Sequence, residues 1–63
     1  MLTVKEWKEK LFRNYEEKDF DTLQYAADMF ELMIDGNHKR PQSECIELRD
    51  YAKSLMAKIS ANK

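Results

Sequence analysis

The sequence predicts an all-α protein, a small three-helix bundle in a single domain spanning residues 1–63. Three observations carry that reading. Apolar residues recur at alternating spacings of three and four through three separate segments, which is the period of a helix and not of a strand. The chain holds one Gly and one Pro, too few breakers for a succession of short strands. Each segment also opens on residues suited to start a helix. The expected helices run from about 4 to 17, 20 to 35 and 42 to 60.

Thr3-Val4-Lys5-Glu6 reads as a capping box, in which the Thr hydroxyl accepts from the Glu amide and the Glu carboxylate from the Thr amide. Leu2 and Trp7 hold the flanking positions of a hydrophobic staple. Val4, Trp7, Leu11 and Tyr15 follow as the buried stripe of the first helix. In the second, Asp21 is the expected cap, with Gln24 completing a box and Phe20 stapling onto Tyr25; Asp19 is the rival cap. Its stripe is Phe20, Leu23, Ala27, Phe30 and Ile34, and Gly36 is expected to close it in the left-handed conformation. Pro41 and Ser43 are alternative starts for the third helix, whose stripe is Cys45, Leu48, Ala52, Leu55 and Ile59.

Trp7 in the first helix and "KDFDTLQYAADMFEL" leading through the second give a pattern that faintly resembles the antiparallel hairpin of a tetratricopeptide unit. The resemblance covers one unit. Leu11 and Tyr15 are one residue out of step, Leu23 stands where a small Ala is expected, and no second unit follows. A solenoid needs several units, so the resemblance implies a helical hairpin and nothing about activity.

A chain of this length is near the lower limit for folding without disulfides, metals or association. Cys45 is the only cysteine, which excludes an internal disulfide and points to a reducing compartment. His38 and Cys45 alone do not make a zinc site, and no cofactor is expected. Charged residues from Lys5 to Glu9 stand where a signal peptide needs an apolar core, and no apolar run approaches a membrane span. The expected location is cytoplasmic, and self-association is the route to stability left open.

Helix 2 is the informative element. Placed on a wheel at 100° per residue, Ala26 and Met33 widen its main stripe, while Tyr25, Met29 and Leu32 fall toward the opposite side. The apolar arc is on the order of 220°, against about 100° for an ordinary surface helix. Two neighbours cover about half of a helix, so Tyr25, Met29, Leu32 and Met33 are expected to meet either a well-wrapped core or another molecule. Phe12, Ile46 and Met56 also lie off their main stripes. The favoured reading is a homodimer, in which one patch meets itself, with Phe12 and Met56 contributing to the interface.

The net charge of -1 conceals a segregation: residues 19–35 carry five acidic groups and no basic one. Asp21, Asp28, Glu31 and Asp35 are expected to form an acidic stripe, either a solvated face or a surface for a basic protein partner. His38, Lys39 and Arg40 form a basic loop that could contact phosphate. The adjoining helix carries Glu44, Glu47 and Asp50, which would repel a nucleic-acid backbone. Cations after a helix C-terminus also complement its dipole. The chain has no Gly-rich phosphate loop, paired-histidine motif or nucleophile elbow. These residues together suggest a non-enzymatic regulatory or adaptor protein, or an inhibitor of a partner, acting through protein contacts. The alternative is a dimeric DNA-binding protein using the loop and helix 3.

Overall fold

A computed structural model describes residues 2–36 and 40–61. Three helices follow in order: α1 (Val4–Glu16), α2 (Phe20–Asp35) and α3 (Gln42–Ala61). All three lie within a residue or so of the expected bounds, and no strand occurs among the described residues. None of these helices is long and apolar enough to cross a membrane.

The capping box at the start of α1 is formed as read: the Glu6 amide donates to Thr3 Oγ1 at 3.1 Å and the Thr3 amide to Glu6 Oε1 at 3.1 Å. The manner in which α1 closes was not legible. Lys18 adopts a left-handed conformation, φ 57°, and its amide donates to the Tyr15 carbonyl while the Asp19 amide donates to that of Asn14, both at 2.9 Å. This pair of bonds is a Schellman closure with Lys where Gly is usual.

Asp19, and not Asp21, caps α2: its carboxylate accepts from the Thr22 amide at 3.2 Å and from the Thr22 hydroxyl at 2.6 Å. One residue therefore closes α1 with its amide and opens α2 with its side chain. Phe20 becomes the first residue of the helix, which removes the expected box with Gln24 and the staple onto Tyr25. Gly36 also departs from expectation. It is extended, φ -103° and ψ 169°, and its amide still returns to the Leu32 carbonyl at 3.0 Å.

α3 starts at Gln42, directly after Pro41 and ahead of Ser43, and the Pro41 carbonyl accepts from the amides of Glu44 and Cys45. Gln42 reaches back across the loop, donating from Nε2 to the Ile34 carbonyl at 2.9 Å. This bond satisfies one of the carbonyls left over at the end of α2.

The core is built from the predicted stripes. Leu11, Leu23, Ala27, Phe30, Cys45, Leu48, Ala52 and Leu55 are buried, joined by Ala26. α2 and α3 form the main packed pair, and α1 leans on both, more on α3 than on α2. Ala26, Ala27 and Ala52 give the helices close approach, while Phe30 fills the centre. Its ring meets that of Trp7 edge to face, with centroids 5.1 Å apart. Lys8 pairs with Glu47 between α1 and α3 at 2.6 Å, and Arg49 with Glu31 between α3 and α2 at 3.7 Å. Both bridges are solvent-exposed enough to contribute little.

Candidate protein interaction surface

The residues read as a second apolar surface divide into three groups. Tyr25 and Leu32 are 73% and 72% exposed. They stand seven residues apart, two turns along one face of α2. Met29 lies between them, partly buried against the core. Tyr25 and Leu32, with the half-covered Met29 between them, thus form one outward strip of α2.

Met33 and Met56 belong to the second group. Both pack partly buried against the core, so their flexible side chains fill gaps between helices. Phe12 is the third case. It is 43% exposed and lines a separate groove between α1 and α3 with Val4, Lys8, Arg13 and Tyr51. Its ring rests on Tyr15, centroids 5.6 Å apart, and Lys8 Nζ lies 5.6 Å from the centre of the Tyr51 ring. The fold places Phe12 in a different groove from Tyr25 and Met29.

Beside the α2 strip, a groove of about 230 Å³ runs between α1 and α2, lined by Trp7, Lys10, Leu11, Asn14, Tyr25 and Met29 among others. It exists because α1 packs more closely on α3 than on α2. Lys10 holds its Nζ 5.1 Å from the Trp7 ring centre, so a cation borders the strip on this side.

The acidic stripe lies along the other side of the strip. Asp21, Asp28 and Asp35 are exposed and fall at intervals of seven residues, a nearly straight line on a helix. No ion pair to any of the three occurs among the described residues. Glu31 is set apart from them, because it turns toward α3 and pairs with Arg49. The sequence wheel could not show this, since Arg49 is on another helix.

Arg40 is the clearest correction. Read from the sequence as a phosphate contact, it is 7% exposed. Its guanidinium is directed inward, paired with Glu44 at 3.0 Å and donating to the Leu2 carbonyl. It ties the segment before α3 to the start of α1. His38 and Lys39 lie outside the described residues. On α3 the three carboxylates are all engaged: Glu44 with Arg40, Glu47 with Lys8 and Asp50 with Arg49.

The backbone and side-chain hydrogen bonds from Thr3 hold the Glu6 carboxyl below its ordinary value of 4.5, a capping effect far from the α2 strip. Cys45 is fully buried and free.

No protein-family model matches this chain, and no curated protein or solved structure gives a significant match. The functional reading therefore rests on the surface itself.

Proposed function

We propose that the protein is a non-enzymatic interaction module whose working surface is the exposed face of α2, and that this face mediates self-association into a homodimer. The observation that carries the reading is the exposure of Tyr25 and Leu32 on one face of a helix whose other apolar residues are buried or partly buried. Burying one such side chain is worth roughly 1.5–3 kcal/mol. Leaving both in water forgoes a sizeable part of the 5–15 kcal/mol that holds an ordinary domain together. A two-fold dimer recovers that burial without a second gene product, because one patch is complementary to itself. The regulatory role follows from the same face: the carboxylates beside the strip would orient or repel a further protein partner by charge.

The test uses residues whose replacement leaves the core intact. Tyr25→Glu with Leu32→Glu places two carboxylates in the strip at positions already exposed in the monomer. The double variant should keep its helical circular dichroism and lose self-association. If it associates as strongly as the parent chain, the working surface lies elsewhere.

A further inference from the structure

We propose that the α2 face takes a second copy of the chain in a parallel two-fold arrangement, with Lys10 of each copy set against Asp28 of the other. The inference rests on the self-association proposed above and fixes its geometry.

The strip of Tyr25, Met29 and Leu32 lies between two flanks of different chemistry. On one side run Asp21, Asp28 and Asp35, about 10.5 Å apart along the axis at 1.5 Å per residue and without ion-pair partners among the described residues. On the other lies the α1–α2 groove, where Lys10 borders Tyr25 and Met29. A two-fold axis can bring α2 against its copy in two ways. If the axis crosses the helices, they run antiparallel and each flank meets its own kind. Six carboxylates would then share one edge of the interface, with Asp28 facing Asp28. If the axis runs along the helices, they are parallel and the flanks exchange. The acidic side of each copy then faces the α1 side of the other.

Height along the axis completes the match. α1 runs antiparallel to α2, since Trp7 meets Phe30 near one end of the pair and Asn14 shares a groove with Thr22 near the other. Lys10 therefore stands beside the middle of α2, between the levels of Ala26 and Met29. An axis parallel to α2 preserves that level, which sets Lys10 opposite Asp28. Opposite charges fix register and like charges exclude the competing one.

The proposal is tested by dimer dissociation constants from sedimentation equilibrium at low salt, joined to a cross-linking measurement. Asp28→Asn and Lys10→Gln should each weaken the dimer by about fivefold, the size expected for losing two symmetry-related exposed ion pairs. The exchange Lys10→Asp with Asp28→Lys should recover the parental affinity to within about twofold. Leu32→Cys in a Cys45→Ala background should form an interchain disulfide on oxidation, because a parallel axis places the two copies of position 32 together, within disulfide reach. An antiparallel pair centred on Asp28 and Met29 would separate them by roughly 10 Å along the axis, leaving no cross-link. A dimer that tightens with Asp28→Asn and resists cross-linking overturns the parallel geometry alone. A chain that never dimerises overturns the self-association as well.

Discussion

The rings of Trp7 and Phe30 meet at 81°, with centroids 5.1 Å apart, and this contact joins α1 to α2, the pair of helices that packs least. Phe30 is fully buried and Trp7 is not, since it also lines the groove beside Tyr25. Phe30→Ala should cost about 3–5 kcal/mol, most of what a domain this small possesses. Trp7→Leu keeps an apolar, though smaller, side chain at this partly buried position and removes the aromatic pairing, worth about 0.5–1.5 kcal/mol. Urea denaturation of both variants checks the ordering. A Trp7→Leu variant as unstable as Phe30→Ala would contradict it.

The turn between α1 and α2 makes a pair of opposed predictions. Asp19→Ala removes the cap and should destabilise by about 1 kcal/mol. Lys18→Gly removes a Cβ from a left-handed residue and should stabilise by about 0.5–1 kcal/mol, after the entropy of Gly in the unfolded chain is set against the relieved strain. Thermal melts of the two variants should therefore move in opposite directions. A Lys18→Gly protein that melts below the parent would show that the turn is not left-handed.

The Glu6 carboxyl supplies a pH dependence whose sign is fixed by the cap. Hydrogen bonds from Thr3 lower its folded value below the ordinary 4.5. The stabilisation is thus fully present above pH 4.5 and is lost as the pH falls through the lower, folded value. Comparing the parent chain with Glu6→Gln in urea at several pH values isolates it. The stability difference between them should shrink as the pH drops below 4.5. A difference that is constant across that range would mean the carboxylate is not capping.

Arg40 and Cys45 give a structural prediction about the start of α3. Arg40→Ala leaves Glu44 and the Leu2 carbonyl without their cation, and hydrogen bonds to charged groups contribute about 1.5–3 kcal/mol. Cys45 is five residues along and fully buried, so its thiol should react with a labelling reagent only when the chain opens. Labelling should accelerate in Arg40→Ala as the stability falls. Fast labelling in the folded parent chain would contradict the packing of α3.

Much of this architecture was legible because local chemistry and periodicity agree. The Thr3–Glu6 box and the stripes through Leu11, Phe30 and Leu48 mark each helix from its own residues. The missed features all depend on a neighbour. Asp19 prevails over Asp21 as cap because Lys18 takes the left-handed conformation that closes α1 one residue before it. Arg40 is buried because its guanidinium finds Glu44 and the Leu2 carbonyl, the latter on the far side of the sequence. Met29 and Leu32 fall on the same side of the wheel, away from the main stripe that Met33 extends. The wheel does not show that Met29 packs partly against the core while Leu32 stays in water, because that depends on the neighbouring helices.

Self-association through α2 is tested most directly by the mass of the parent chain in solution. Light scattering on a column-purified sample at micromolar concentration should give twice the 7.6 kDa of the chain, falling toward the single mass on dilution. A mass of 7.6 kDa that persists as the concentration rises would contradict the dimer and leave the Tyr25–Leu32 strip to a different partner.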